Sequence, residues 1–329
     1  MLKVLVSSRS FGQVSTIGTK TLEDAGFEVR RVGPEDRPLN AAKLAAVIQR
    51  EQPDALIAGA EPIPREVMGA STHLRVVQKH GVGVDNIDLG AASELGIAVA
   101  NAPGTNTEAV ADLAIGLMLA LQRSIVDAAV STRGGGWDRF IGHELGEGTV
   151  GVVGTGRIGK AVIRRLEGFG SRILAYDVYR DADLGANPRV TYVSLKDLLR
   201  DSDIVTLHTP LLDETRNMIS RNELSWMKSS AFLINIARGE LVDEAALADA
   251  LASGGIAGAG VDVFATEPPQ ESPLLKLKNV IATPHIGAYT VEAMDCMARR
   301  CADTVVAIFA GACPENVLNP DVLRAKRGH

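Results

Sequence analysis

The sequence lacks an apolar run long enough to cross a membrane. Its most hydrophobic stretch, residues 110–121, contains Asp112 and is far shorter than the roughly 20 residues that a membrane-spanning helix needs. The first residues run directly into a strand-like segment, without the charged, apolar and cleavable regions of a signal peptide. We therefore expect a buried helix at residues 110–121, no secretion signal and a cytoplasmic location.

Cysteine and clustered positive charge are also scarce. The cysteines number 3 and are Cys296, Cys301 and Cys313. Their odd number argues against a disulfide framework, and their spacing argues against a metal site. The formal net charge is −6, and no block of Lys or Arg is present. These properties exclude nucleic acid and anionic membranes as principal partners and favour a small ligand.

The composition that remains is that of an ordinary globular protein. Hydrophobic residues make up 46% and charged residues 22% of the chain, which excludes a disordered chain and a fibrous repeat. The 329 residues are too many for one typical domain of about 100 to 200 residues and enough for two. Two domains would leave room for a ligand cleft between them.

Short apolar runs alternate with helix-like segments in two series. The first series comprises residues 2–6, 27–32, 55–58, 74–78 and 97–100. The second comprises residues 149–153, 172–176, 204–207, 232–236, 258–263 and 280–282. This alternation predicts an α/β protein with two doubly wound parallel sheets, Rossmann-like or flavodoxin-like.

Residues 105–132 lie between the two series and are rich in Ala and Leu. Three consecutive glycines, at 134–136, follow them. We expect one long helix here. A helix of this length can bridge domains or form the interface of a homodimer, the commonest closed oligomer.

A glycine motif follows the first strand of the second series. Gly154, Gly156 and Gly159 have the spacing GxGxxG, and a helix-like segment follows them. In such a turn the first glycine permits the tight bend, the second permits close approach of a pyrophosphate, and the third permits helix–strand packing. The motif, with Arg157 and Ile158 inside it, therefore predicts a dinucleotide-binding site at a helix N-terminus.

Asp177 ends the next predicted strand, 21 residues after Gly156. An acidic side chain at this distance accepts hydrogen bonds from the adenosine ribose, and its charge repels a 2′-phosphate. The sequence thus favours NAD over NADP. The alternative is an ordinary Asp in a solvated turn, and Arg180 leaves some use of NADP open.

Three polar residues follow predicted strands of the second series: Arg238, Glu267 and His285. The carboxyl ends of parallel strands form the ligand crevice, so these side chains are expected to converge. Oxidation of a secondary alcohol by NAD needs a base for the hydroxyl proton, and His285 suits that task near neutral pH. Glu267 would orient the imidazole, and Arg238 would bind a substrate carboxylate.

With these residues in place, the sequence resembles the D-isomer-specific 2-hydroxyacid dehydrogenases, which include D-3-phosphoglycerate, glyoxylate/hydroxypyruvate and phosphite dehydrogenases. The resemblance covers nearly the whole chain. Its motifs are KHGVGVDNID at 79–88, NAP at 101–103, GVVGTGRIG at 151–159, LHTPL at 207–211, NIARGELVD at 235–243, GVDVFATEP at 260–268 and TPHIG at 283–287.

The resemblance implies a role for each matching position. It makes Arg238, Glu267 and His285 catalytic. It implies a substrate domain of residues 1–100 plus 287–329, interrupted by an NAD domain of residues 101–286. The substrate-binding residues would be Lys79 together with the backbone N–H groups near Val82 and Gly83. The NAD site would also include Thr209, Pro210, Ala237 and Asp262.

Some positions depart from the family and bear on the substrate. Phosphoglycerate enzymes commonly carry an Arg after the third strand, where this chain reads Ile-Ala-Gly-Ala at 57–60, so that phosphate anchor is missing. The positive charges of Lys79 and Arg9 nevertheless remain compatible with a substrate that has an anionic tail. Tyr289 stands where Ser is frequent, and the regulatory domain that ends many longer members is not expected.

A different function class shares the same features. Transcriptional corepressors of this fold keep a similar triad and bind NAD as a signal. The chain has no extended low-complexity tail for recruiting partners, which favours an enzyme, but the triad alone does not separate the two. His80, His143 and His208 are interpreted as structural, with His208 beside the cofactor contacts.

Overall fold

The computed structural model describes residues 1–325, which divide into two compact units. We call Met1–Asn106 together with the chain from Tyr289 onward the terminal unit, and Thr107–Ala288 the central unit. Each unit is built around its own parallel sheet.

The first part of the terminal unit alternates strands and helices. Its elements are β1 (Leu2–Val6), α1 (Ile17–Asp24), β2 (Phe27–Arg31), a 3-10 helix (Pro34–Asp36), α2 (Ala41–Glu51), β3 (Ala55–Ala58), α3 (Arg65–Met68), β4 (Val76–Lys79), α4 (Leu89–Glu94) and β5 (Ala98–Ala100). Local signals delimit α2, because the Asn40 side chain accepts a hydrogen bond from Lys43 N at 2.9 Å and Gln52 ends the helix in the left-handed region.

The sheet of the terminal unit has the order β2-β1-β3-β4-β5, with all strands parallel. All four residues of β3 are buried, as expected for a strand covered on both faces. Leu5, Leu56 and Val77 from the strands pack with Leu44 and Ile48 of α2. The strand order reverses direction between β1 and β3, and this point is the topological switch of the sheet.

The central unit begins with helices and then builds a larger sheet. Its elements are α5 (Thr107–Gln122), α6 (Ile125–Arg133), a 3-10 helix (Leu145–Glu147), β6 (Thr149–Val153), α7 (Arg157–Phe169), β7 (Arg172–Tyr176), α8 (Ala182–Gly185), β8 (Val190–Tyr192), α9 (Leu195–Asp201), β9 (Ile204–Leu207), α10 (Arg221–Leu224), β10 (Phe232–Asn235), a 3-10 helix (Gly239–Leu241), α11 (Glu244–Ala252), β11 (Gly258–Val261), a 3-10 helix (Pro273–Lys276) and β12 (Val280–Ala282). The chain then returns to the terminal unit as α12 (Val291–Phe309) and α13 (Asp321–Ala325).

The sheet of the central unit has the parallel order β12-β11-β10-β9-β6-β7-β8. Successive residues of its strands face opposite sides, so Val152 packs into one core with α5 and α7 while Val153 packs into the other with α9 and α11. The switch of this sheet lies between β6 and β9. The two doubly wound parallel sheets confirm the fold class predicted from the alternating pattern.

One expectation about local structure is wrong, and one strand was not predicted. The predicted helix at residues 105–132 is two helices, α5 and α6, bent by 64°, because Ser124 between them adopts the left-handed φ of 48°. The buried helix predicted at residues 110–121 does lie within α5, whereas α6 buries none of its residues. The strand β8 was missed, since it has 3 residues and only Val190 is buried.

Membrane-spanning potential is confined to one place in residues 1–325. No single helix there is both long enough and apolar enough to span a membrane. The helices α5 and α6 reach that length and apolar composition only when they are taken together across their bend.

Candidate active site

The turn between β6 and α7 excludes side chains from two of its three glycines. A Cβ on Gly154, whose φ is 92°, would lie 2.7 Å from the backbone carbonyl carbon of His208. A Cβ on Gly159 would lie 2.0 Å from the carbonyl oxygen of Gly154. Gly156 is exposed, and no surrounding heavy atom lies within 4 Å of the position its Cβ would take. Its backbone is therefore open to a ligand.

The N-terminus of α7 offers backbone donors at the same place. The helix begins after Gly156, and no side chain caps its first N–H groups. Arg157 is exposed and Ile158 is half-buried. Uncapped N–H groups and the positive end of the helix dipole attract an anion. The turn and the helix together fit the pyrophosphate of a dinucleotide, as the sequence motif predicts.

Asp177 lies beside this turn and is tied to it. Its Oδ2 accepts hydrogen bonds from the Thr155 backbone N at 2.6 Å and from Thr155 Oγ1 at 3.1 Å. Its Oδ1 accepts from Tyr179 N at 3.0 Å. The carboxylate is half-buried and has lone pairs left for ribose hydroxyls. Thr155 and Tyr192, whose hydroxyls lie 2.9 Å apart, were not identified from the sequence, since only their contact with Asp177 marks them.

Thr209 and Pro210 follow β9 at the switch of the central sheet. The backbone N of Thr209 would lie 2.9 Å from a Cβ on Gly154, so the two loops touch. Thr209 is half-buried and Pro210 is exposed. Ligands of open parallel sheets bind outside the carboxyl ends of the strands at this point, and the residues predicted to line the cofactor site lie there.

The imidazole of His285 and the carboxylate of Glu267 form a pair. Nδ1 of His285 and Oε2 of Glu267 are 2.8 Å apart, and Oε1 of Glu267 accepts from Phe264 N at 3.2 Å. Burial raises the pKa of Glu267, but the hydrogen bond and charge of His285, the Phe264 N–H and the charge of Arg238 together hold that pKa below its ordinary value. The carboxylate is therefore ionised at neutral pH.

Asp262 organises the turn that carries His285. Its buried carboxylate accepts from Thr283 Oγ1 at 2.6 Å and from the backbone N of Ile286 and Gly287, both at 2.8 Å. Burial raises the pKa of Asp262, and these three donors offset that rise only in part. His285 itself has a left-handed φ of 54°, a conformation that a non-glycine residue adopts only when its surroundings impose it.

Arg238 follows β10 and lies close to the segment between β11 and Glu267. The Asn235 side chain donates to Arg238 O at 2.8 Å, and Arg238 Nη1 donates to Ala237 O at 2.7 Å. A Cβ on the adjacent Gly239 would lie 1.9 Å from the carbonyl carbon of Phe264. The two segments are therefore in contact, which brings the Arg238 charge near Glu267.

Two other histidines have a lowered pKa. Burial lowers the pKa of His208 to about 3, and its Nε2 lies 3.0 Å from Thr206 Oγ1. Burial and the neighbouring Lys79 charge lower the pKa of His80 to about 4. The Nδ1 of His80 lies 3.0 Å from Ser10 Oγ. These contacts agree with the structural interpretation of both residues.

Of the substrate residues predicted for the terminal unit, Lys79 ends β4, and Val82 and Gly83 lie in the loop that follows it. Lys79 Nζ donates to Gly59 O and to Asn86 Oδ1, both at 2.7 Å. The carbonyl of Val82 accepts from Asn101 Nδ2 at 2.7 Å. Within residues 1–325 the backbone N–H groups of Val82 and Gly83 donate to no acceptor. Unpaired N–H groups next to each other suit a carboxylate.

Comparison with known proteins finds 2-hydroxyacid dehydrogenases similar to this chain. Residues 115–287 match the family described as D-isomer specific 2-hydroxyacid dehydrogenase, NAD binding domain. The glyoxylate reductase of Korarchaeum cryptofilum is 44% identical over 273 residues, which are 81% of this chain and 82% of that protein. The D-3-phosphoglycerate dehydrogenase of Methanocaldococcus jannaschii is 40% identical over 311 residues, which are 93% of this chain and 59% of that protein.

A solved structure extends the similarity over both units. The D-lactate dehydrogenase of Aquifex aeolicus, in complex with NAD and lactic acid, matches with a TM-score of 0.84 and 27% identity, covering 96% of this chain and 99% of that one. The corepressor alternative is not favoured by these relatives. The chain is an NAD-linked oxidoreductase of 2-hydroxy acids and belongs to the D-isomer-specific 2-hydroxyacid dehydrogenase family.

Proposed function

We propose that this enzyme interconverts small D-2-hydroxy acids of the glycolate and glycerate type and their 2-keto acids, with Arg238, Glu267 and His285 as its catalytic residues. The observation that carries the proposal is the 2.8 Å pair of His285 and Glu267 beside the Arg238 charge. The glyoxylate reductases among the relatives support the size of the substrate.

The proton would move at Nε2 of His285. Because Glu267 Oε2 faces Nδ1 at 2.8 Å, the neutral ring keeps its proton on Nδ1 and leaves the Nε2 lone pair to accept the hydroxyl proton. In the opposite direction the imidazolium donates that proton to the keto oxygen. The ionised Glu267 stabilises the imidazolium in both cases. The nicotinamide cofactor supplies the hydride acceptor in oxidation and the hydride donor in reduction.

Two groups would hold the substrate. The Arg238 guanidinium binds its carboxylate and polarises the carbonyl that forms. In the terminal unit, the N–H groups of Val82 and Gly83 would donate hydrogen bonds to a substrate carboxylate, and Lys79 supports the loop they belong to through its bonds to Gly59 O and Asn86 Oδ1. We therefore assign substrate binding to residues 1–100 plus 287–329, and NAD binding to residues 101–286.

The proposed NAD-binding residues combine the turn between β6 and α7 with the positions that the family resemblance implies. Gly154, Gly156, Arg157, Ile158 and Gly159 would hold the pyrophosphate. Asp177 would bind the adenosine ribose, while Thr209, Pro210 and Ala237 would line the rest of the site. Asp262 already accepts three hydrogen bonds from the turn that carries His285, so its contribution includes the placement of that turn.

Turnover tests this function. Purified protein with NADH is given glyoxylate, hydroxypyruvate and pyruvate, and with NAD the corresponding hydroxy acids, while absorbance of NADH is followed. We expect the enzyme to reduce glyoxylate, hydroxypyruvate or both. Tight NAD binding without any turnover would instead support an NAD-sensing role.

We also infer that the protein is a homodimer. Supporting this, α6 and the segment after it expose large apolar side chains, including Val130 at 63%, Trp137 at 76% and Ile141 at 100%. Contiguous exposed apolar surface on a monomer marks an interaction site. Light scattering at micromolar concentration should give twice the mass of one chain, and Ile141→Glu should lower the measured mass toward that of one chain. A monomeric parent protein would contradict this.

A cytoplasmic location remains a prediction from the sequence.

A further inference from the structure

We propose that Glu61 selects the substrate by its tail: its carboxylate accepts a hydrogen bond from a hydroxyl on the third carbon and rejects a phosphate there. This inference rests on the proposed function, since it requires a small 2-keto acid to be bound by the terminal unit. Glu61 would be a specificity-determining residue, and it lies outside every motif that the sequence analysis identified.

Glu61 lies at the place in the terminal sheet where a ligand is expected. The strand order places β1 next to β3, with β2 on one side and β4 on the other. Ser7 directly follows β1, and Glu61 lies three residues after the end of β3. Ligands of doubly wound sheets bind at this switch, outside the carboxyl ends of the strands. Glu61 is a charged group at that position.

One oxygen of the carboxylate is fixed and the other is available. Oε1 accepts from Gly59 N at 2.9 Å and from the hydroxyl of Ser7. Oε2 accepts no hydrogen bond and Glu61 has no ion pair within residues 1–325. The side chain is half-buried. A carboxylate held through one oxygen presents the second as a preorganised acceptor.

The loop that carries Glu61 is joined to the loop that would hold the substrate carboxylate. Asn86 Nδ2 donates to Glu61 O at 2.6 Å and to Gly59 O at 3.2 Å. Lys79 Nζ joins the same two loops through Gly59 O and Asn86 Oδ1. Val82 and Gly83, with their unpaired N–H groups, lie between Lys79 and Asn86 in the chain. A substrate held there would lie beside the Glu61 loop.

The backbone at Gly59 lies close to the second oxygen of Glu61. A Cβ at Gly59 would lie 2.7 Å from Glu61 Oε2 and 3.1 Å from Ser8 Cα. The Arg that the family resemblance gives to phosphoglycerate enzymes after β3 is absent here, and Gly59 leaves room for the Glu61 carboxylate. This chain thus places a negative charge where those enzymes place a positive one. Like charges in contact repel each other, so a phosphorylated tail is disfavoured.

Three keto acids that differ only in the tail test the inference. Glyoxylate has none, hydroxypyruvate has a hydroxymethyl group, and 3-phosphohydroxypyruvate has a phosphorylated one. Steady-state kcat/KM is measured with NADH for the parent enzyme, for Glu61→Gln and for Glu66→Gln, a control that removes an exposed glutamate of α3 in the same unit. Glu61→Gln keeps the size and an acceptor oxygen while removing the charge.

The expected result is specific to the tail. In Glu61→Gln the ratio of kcat/KM for 3-phosphohydroxypyruvate to that for hydroxypyruvate should rise by about 10- to 100-fold. Glyoxylate should change by less than about threefold, and Glu66→Gln should match the parent for all three. Thermal unfolding of each variant checks that the loops remain folded.

Salt provides a second measurement on the unmodified enzyme. Raising the ionic strength from about 20 to about 200 mM screens the repulsion, so the same ratio should increase without any substitution. The inference is wrong if the parent enzyme uses the phosphorylated and hydroxylated substrates equally well, or if neither Glu61→Gln nor salt changes their ratio. If the parent enzyme reduces none of the three, the proposed function itself has failed.

Discussion

The two units place their functional groups at equivalent points of their sheets but use different chemistry. In the central unit, the switch between β6 and β9 is formed by glycine backbone, and charged side chains follow β10, β11 and β12. In the terminal unit, the switch between β1 and β3 offers Glu61, and the next loop offers the unpaired N–H groups of Val82 and Gly83. Under the proposed assignment, the central unit would carry out proton and cofactor chemistry, and the terminal unit would recognise the substrate.

This difference predicts that substitutions of the proposed catalytic residues in the central unit lower kcat, whereas substitutions in the terminal unit change KM and substrate selectivity with little effect on kcat. The largest effect should come from His285→Ala. Loss of a positioned general acid/base lowers kcat by about 10² to 10⁴, while NAD affinity stays within a few-fold. Stopped-flow turnover and calorimetric titration with NAD measure both. A kcat close to that of the parent would mean that another group moves the proton.

Arg238→Ala should act on both parameters, because the lost charge contributes to binding and to the transition state. We expect kcat/KM to fall by about 10² to 10³, through a higher KM and a lower kcat. Arg238→Lys is the matched variant and should recover only part of the loss, since Lys lacks the bidentate fork. Full recovery with Lys would show that charge alone is needed.

Glu267→Gln tests the charge of the pair through pH. The pKa of Glu267 lies below its ordinary value, so its carboxylate stays ionised down to more acidic pH and its stabilising effect is lost only as pH falls through that lowered pKa. Gln removes this charge at every pH. The pH above which keto-acid reduction declines should then fall by about one unit. An unchanged pH profile would contradict the pairing.

Asp177→Ala concerns cofactor choice within the central unit. Because the carboxylate repels a 2′-phosphate, its removal should narrow the preference for NAD over NADP by about tenfold. Thr155→Val, which loses only one of the donors to Asp177, should have a smaller effect. Dissociation constants for both dinucleotides measure the ratio, and an enzyme that prefers NADP from the start would refute the assignment.

Lys79→Met tests whether the terminal unit contributes to substrate binding and not to the chemical step. The substitution keeps the aliphatic stem and removes the bonds to Gly59 O and Asn86 Oδ1. We expect KM for glyoxylate to rise by about three- to tenfold, the cost of roughly one such hydrogen bond, with kcat nearly unchanged. A loss confined to kcat would mean that the terminal unit takes part in the chemistry.

Patterns that are local in the chain were sufficient for much of the fold and site. Apolar runs predicted most strands, since parallel strands are buried on both faces. The spacing of Gly154, Gly156 and Gly159 predicted the nucleotide turn, because each glycine answers a steric requirement of that turn. Arg238, Glu267 and His285 were recognised because each follows a strand.

Other features depend on contacts between distant residues, and only the tertiary structure decided them. The break at Ser124 interrupts a stretch whose composition remains helical. Asp262 is expected from the family resemblance to line the NAD site, and its three bonds to residues 283–287 add a structural role in the turn that carries His285. Glu61 belongs to no motif, and its importance depends on Ser7 and Gly59, which fix one oxygen and leave the other exposed. Such pairings depend on the order of strands in the sheet, and the spacing of residues along the chain does not encode that order.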